Sequence, residues 1–293
     1  MRLSPNFLLT IFASIVFTAI VSIFISSPLH ADFDHSYGLY EKLLNKYTVI
    51  EGKQTLVDYR AIKENPEEIL NIISNLSSVT REEYKRFTRN QKLAFLINTY
   101  NAFTIKLIVD NYPITSIKKI GWFFQSPWKR KVVNIFNKTY TLDNIEHGLI
   151  RKKFKEPRIH FAVNCASMGC PSLLKKPFVA TLLDEQLHAA AKNFLTNTDK
   201  NRYDPESNKI YISKIFKWYG SDWKKMKKVH YMRYIEKFIP EIVGKNPSLR
   251  YTDYDWSLNN YKHQKQGEVF SDRPTHKIKS EYKKDLKKQA SNN

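Results

Sequence analysis

Arg158-Ile159-His160-Phe161-Ala162-Val163-Asn164-Cys165-Ala166-Ser167-Met168-Gly169-Cys170-Pro171 holds both cysteines of the chain. Ile159, Phe161 and Val163 alternate with His160, Ala162 and Asn164, which predicts a short strand over residues 159–164 with the two triplets on opposite faces. Gly169 and Pro171 then break the strand into a tight turn. A thiol stands at the strand end beside a histidine and an amide, on a loop that is exposed yet held by a rigid scaffold. The stretch gives an address for chemistry without naming the reaction.

Upstream, Thr88-Arg89-Asn90-Gln91 is a capping box that opens the longest helix, predicted to run to about residue 111 and to stop before Pro113. Leu93, Leu96, Ile97, Tyr100, Phe103, Thr104, Leu107 and Ile108 recur at helical spacing, so this helix is buried on most sides. Asn98 and Asn101 fall one turn apart on it, and buried amides need partners. They either tie down neighbouring loops or line a pocket.

Between the long helix and the cysteines lies a mixed segment with Trp122, Phe123, Phe124 and Trp128, then a hairpin turning at Asn137-Lys138. Thr141 caps a helix predicted over residues 142–153, which places His147 and Arg151 four apart on one face. Nearer the N-terminus, residues 37–47 read as a helix, Val57-Asp58-Tyr59 as a strand, Pro66 as the first turn of a helix to about residue 76, and Thr80-Arg81-Glu82-Glu83 as a second capping box. Downstream, the pattern predicts a helix over 178–197, a hairpin over 201–213 and a basic, aromatic helix over 214–228 carrying Trp218, Tyr219 and Trp223. A further helix over 231–243 follows. From about residue 261 the chain is polar and charged, and is expected to be a disordered basic tail.

Arg2 precedes an uncharged, mostly apolar run over residues 7–27, then Pro28-Leu29-His30-Ala31 and acidic Asp32 and Asp34. This predicts a signal peptide cut after Ala31 or a retained signal anchor, with the body in the periplasm or secreted. The net charge is +20, with 36 lysines against 12 arginines. Export argues against nucleic acid, and arginine is the residue favoured for bidentate phosphate contacts. A lysine-rich composition or weak attraction to an anionic envelope surface accounts for the charge. The membrane is a partner only if residues 1–31 are retained.

Three readings of the cysteines stay open. Cys165 and Cys170 form a disulfide, as suits an exported protein. Alternatively Cys165 is a thiol nucleophile, with His147 or His160 as base and Asn98, Asn101, Asn164 or Glu146 as orienter. In a continuous strand His160 and Cys165 face apart, which favours His147. The third reading is zinc held by Cys165, Cys170, His147 and His160. There is no Gly-rich phosphate loop or Gly-x-Ser-x-Gly elbow, and the sequence calls for no cofactor.

Ala94-Phe95-Leu96-Ile97-Asn98-Thr99-Tyr100-Asn101-Ala102, Leu142-Asp143-Asn144-Ile145-Glu146-His147 with Arg151, and the cysteine stretch through Pro171-Ser172-Leu173 follow one another in a recognisable order. With Ile212-Ser213-Lys214-Ile215-Phe216, Trp218-Tyr219-Gly220 and Tyr254-Asp255-Trp256-Ser257-Leu258-Asn259, the chain resembles the bacterial and plant family known as "domain of unknown function 547" over about residues 85–260. The resemblance implies that the helix amides, His147, His160 and both cysteines form one constellation. Papain-like and transglutaminase-like thiol enzymes start a helix with the nucleophile ahead of the histidine strand. Here the cysteines follow the long helix, so no simple correspondence holds.

The expected fold is one α+β domain over residues 32–260, several helices packed on a small, mainly antiparallel sheet. The expected function is an exported thiol-dependent hydrolase or acyl transferase acting on an envelope amide or ester through Cys165. The alternative is a non-enzymatic binding or structural domain stabilised by a Cys165–Cys170 disulfide.

Overall fold

A computed structural model describes residues 32–121, 126–227 and 230–262. The apolar run 7–27, the aromatic residues Trp122, Phe123 and Phe124, and the tail from 263 lie outside them. No helix among the described residues is long and apolar enough to cross a membrane.

The described residues open with α1 (Gly38–Tyr47), the antiparallel pair β1 (Thr48–Glu51) and β2 (Gln54–Val57), α2 (Tyr59–Glu64), α3 (Glu67–Ser78) and α4 (Arg81–Arg86). The strand expected at 57–59 stops at Val57, because the Asp58 side chain accepts the Ala61 N–H and caps α2 instead. Thr80 caps α4 by accepting the Glu83 N–H.

The long helix α5 (Arg89–Asn111) forms as its capping box predicts: Thr88 Oγ1 accepts from Gln91 N, and Gln91 Oε1 accepts from Thr88 N. Every residue from Leu93 to Ile105 is buried. Fully burying each large apolar side chain contributes about 1.5–3 kcal/mol. Helices α2 and α3 and strand β3 (Lys131–Ile135) pack around α5, so it is the axis of the first half of the molecule. Strand β3 pairs antiparallel with β4 (Lys138–Thr141). Phe136 and Asn137 both take positive φ in the two-residue turn between them.

Thr141 and Asn144 cap one another, and the helix they start is wound with π pitch over Asn144–Arg151. π-Turns are rare and are frequent at functional sites. This segment packs directly on α5.

The strand expected at 159–164 is absent. Pro157–Phe161 is a 3-10 helix, because Glu156 caps the Arg158 N–H and Pro157 takes the first helical position. The alternation misled because residues 159 to 164 are all buried, so both sets of side chains face protein. The helix expected from residue 178 starts only at Leu183 and forms α6 (Leu183–Leu195), since the Phe178 backbone is bonded to Asn98 instead.

β5 (Arg202–Asp204) and β6 (Lys209–Ile212) make the predicted hairpin, and β7 (Ser248–Tyr251) adds parallel to β6. Helix α7 (Ile215–Lys227) follows, then a short α8 (Tyr231–Ile235). The helix expected to reach residue 243 ends early, and Pro240 begins a separate 3-10 turn, Pro240–Ile242. Phe161, Ala191, Phe194, Ile210, Ile212, Phe216 and Trp223 form the core of this second half. The fold class is α+β as expected, with the sheet among the described residues divided into three small pieces that are antiparallel apart from the β6–β7 pair.

Candidate active site

The cysteine loop is pinned from both sides. Asn101 on α5 donates from Nδ2 to the Ala162 carbonyl (3.0 Å) and accepts the Asn164 N–H at Oδ1 (2.8 Å). Asn164 then accepts the Ala166 N–H (2.8 Å) and donates to the Pro171 carbonyl (2.7 Å), closing the turn around the cysteines. Ala166 sits at φ 59°, a left-handed conformation that disfavours any residue with a Cβ. Cys165 and Cys170 are joined by a disulfide, their Cα atoms 6.1 Å apart. On the other side, Met168 and Gly169 donate to the carbonyls of Ser257 and Asp255 (2.8 and 2.7 Å). A Cβ on Gly169 would stand 2.9 Å from that Asp255 oxygen and from the Tyr254 ring, so glycine is required there.

Behind the loop, four charged or titratable side chains join in a chain. Arg151, on the π-helix, grips Asp222 of α7 with Nε and Nη2 (2.6 and 2.8 Å). Its Nη1 donates to His147 Nδ1 at 2.9 Å. Asp222 Oδ2 also lies 2.9 Å from His160 Nε2. His160 stacks on Tyr219, ring centroids 4.1 Å apart. The remaining His160 nitrogen, Nδ1, is buried without a hydrogen bond and lies 3.8 Å from Glu146 Oε1.

This arrangement sets the protonation states. Burial would raise Asp222, but hydrogen bonds and charge from His160 and Arg151 outweigh it and hold the carboxyl well below the usual range. As an ionised acceptor, Asp222 accepts a hydrogen bond from the His160 Nε2–H, so the proton sits on Nε2 and the Nδ1 lone pair is free. Burial pulls His160 down to about 4 despite Asp222, so the ring is neutral at pH 7. Guanidinium has no lone pair, so His147 Nδ1 must accept from Arg151 and the His147 proton sits on Nε2. Burial and the Arg151 charge both lower His147. Glu146 is pushed up to about 7 by burial, partly offset by the Arg151 charge and by hydrogen bonds from Tyr219 and Tyr100.

Glu146, His147, His160 and the Cys165–Cys170 disulfide line one pocket of about 260 Å³. The rest of its lining is largely aromatic, with Trp128, Trp218, Tyr254 and Trp256, whose neighbouring ring centroids are 4.5–5.9 Å apart. Cys165 is the half-buried cysteine, its sulfur 3.2 Å from both Ser167 Oγ and Tyr254 Oη. Cys170 is 2% exposed, and its carbonyl accepts from the Lys200 ammonium, which burial lowers to about 8.

The structure therefore separates the residues singled out from the sequence. Cys165, His147, His160 and Glu146 share the pocket. Asn98 and Asn101 do not line it. Asn98 is reciprocally bonded to the Phe178 backbone (2.8 and 2.9 Å), and Asn101 clamps the cysteine loop, so both amides tie down loops. The zinc set has both its sulfurs tied in the disulfide, and among the described residues no group of three His, Cys, Asp or Glu is placed to hold a metal ion. Sequence reasoning missed Asp222 and the stacking role of Tyr219. A signal was present: Asp222 is the only acid between residues 214 and 228, spaced with Trp218 and Tyr219 on one helical face.

The site defines a class: an α+β domain whose disulfide-walled, aromatic pocket is backed by a histidine–carboxylate pair. Residues 84–195 match the family described as "Protein of unknown function, DUF547", which supports the resemblance read from the sequence. The matched stretch contains Asn98, Asn101, Glu146, His147, His160 and both cysteines. Asp222 and most of the aromatic wall lie beyond it. No curated protein and no solved structure matches this chain.

Proposed function

We propose that the pocket is the active site of an exported thiol-dependent hydrolase or acyl transferase, held in its oxidised form, with Cys165 as nucleophile and His160 as base. One observation carries the reading. His160 is oriented by Asp222 through Nε2, and its Nδ1 lone pair is free, on a ring that lines the same pocket as Cys165. A nucleophile, a base and a carboxylate that orients the base are the parts that acyl transfer needs. His147 is the weaker candidate, because Arg151 occupies its acceptor nitrogen.

Activation is a disulfide exchange. A dithiol reductant becomes a disulfide, and Cys165 and Cys170 each gain a proton. The Cys165 thiol then gives its proton to His160 Nδ1 as sulfur bonds the carbonyl carbon of an amide or ester. The leaving amine or alcohol departs with that proton. Water or a second acceptor releases the acyl group from Cys165. Asp222 stabilises the transient imidazolium, as the buried acid does in serine hydrolases. An envelope amide or ester is the substrate class that export suggests.

The disulfide also favours a second reading, a non-enzymatic binding domain in which the bond is permanent and only shapes the turn. One experiment separates them: alkylation of the dithiol-reduced protein with iodoacetamide at pH 7, followed by mass spectrometry. The enzyme reading expects Cys165 to react faster than Cys170, and His160→Ala or His160→Gln to slow it about tenfold while His147→Ala changes it little. A Cys165 no faster than a simple thiol, or indifferent to His160, leaves the binding reading.

A further inference from the structure

A second and larger concavity, about 690 Å³, is lined by Trp223, by α6 and by the end of α8 with the segment that follows it. Its size falls within the range of small-molecule sites, roughly 300–1,000 Å³. Trp223, Tyr234 and Phe238 supply an apolar floor, and His188, Lys192 and Lys237 stand on its rim. His188 and Lys192 are four apart on α6 and so project on one face.

The lining is unusual in its open valences. Trp223 is 1% exposed, and its indole Nε1–H has no hydrogen-bond partner. The Tyr234 hydroxyl is also buried and unpartnered. Burial pushes that hydroxyl up to about 12, so it stays protonated and able to donate. Among the described residues the Lys192 and Lys237 ammonium groups make no ion pair or hydrogen bond. The one acid on the lining, Asp184, is taken by Arg158 at 2.6 Å. Buried polar groups without partners call for an explanation, and here the indole N–H and the phenol O–H can both donate, beneath a rim that carries the exposed Lys192 and Lys237 ammonium groups. What they lack in common is an acceptor.

We infer that this groove binds a small organic anion, its acidic head meeting Lys192 and Lys237 and its apolar body lying on Trp223, Tyr234 and Phe238. Carboxylate, phosphate and sulfonate heads share the required chemistry. The site is distinct from the Cys165 pocket, whose lining carries acids and neutral histidines.

The test is calorimetric titration of the full oxidised protein with 8-anilinonaphthalene-1-sulfonate, alongside its uncharged counterpart N-phenyl-1-naphthylamine. One saturable site for the sulfonate is expected, weakened about tenfold by the double variant Lys192→Glu/Lys237→Glu and by raised salt. Tyr234→Phe, which keeps the ring and removes only the donor, is expected to weaken it about threefold. Comparable binding of the uncharged probe overturns the inference. So does a site indifferent to the lysine pair, or one lost instead in Glu146→Gln, which would place the probe in the Cys165 pocket.

Discussion

Two polar clusters reach the cysteine stretch, one through Asn101 and the other through His160, and they differ in how completely their valences are closed. On the α5 side, Asn98 and Asn101 each give and take one backbone hydrogen bond, all between 2.8 and 3.0 Å. On the π-helix side, Arg151, Asp222 and His160 are strongly bonded, yet His160 Nδ1 has no hydrogen bond and Glu146 is held near neutral pH. A closed cluster specifies geometry and does no more. An open one retains a base and an acid whose states can change, which is where perturbed groups gather in functional sites.

The comparison breaks most visibly at Asp222. Asp222→Ala leaves the Arg151 cation and the His160 N–H without their partner, and removing one member of a buried pair costs about 3–5 kcal/mol. Urea unfolding is expected to show that loss. A change under 1 kcal/mol would mean that the network is solvated and idle.

Asn101→Ala comes next. It leaves the Ala162 carbonyl and the Asn164 N–H unpaired, at a cost of about 2–4 kcal/mol. If that cluster is purely structural, the fraction still folded keeps the Cys165 alkylation rate of the reduced wild type. A slower rate in folded protein would give Asn101 a part in the chemistry.

The pH dependence sharpens the contrast further. His160 is lowered in the fold from 6.5 to about 4, so its contribution to stability grows between pH 4 and 6.5. Glu146 is raised from 4.5 to about 7, so the fold binds its proton more tightly and stability falls between pH 4.5 and 7. The two slopes oppose one another over most of that interval. Their contributions therefore largely cancel from pH 4.5 to 6.5, and Glu146→Gln is expected to gain stability relative to the wild type across that interval by on the order of 2 kcal/mol. Urea titrations at four pH values check this, and parallel profiles would refute the assignment. The smallest effect belongs to the closed side: Thr88→Ala removes the capping box of α5 and is expected to cost about 1 kcal/mol in the same assay.

Much of the scaffold was legible in the sequence. Thr88 and Gln91 marked the start of α5, Pro113 its end, and Asn137 the β3–β4 turn, because caps and turns are local hydrogen-bond problems solved by adjacent residues. The reading failed at residues 159–164, where Pro157 and the Glu156 cap prevailed over an apolar alternation. It failed again at residue 178, where Asn98, 80 residues away, claims the Phe178 backbone.

The site divides in the same way. Sequence alone brought Cys165, Cys170, His147, His160 and Glu146 under suspicion, because the two cysteines share one stretch with His160 and the helix that carries Glu146 and His147 leads into it. Only the tertiary structure joined the cysteines, supplied Asp222 from α7, and left one histidine with a free nitrogen while an arginine occupied the other. The reason is physical. A side chain's chemical type is written in its own residue, but its protonation and reach depend on burial and on partners that the fold brings from far along the chain.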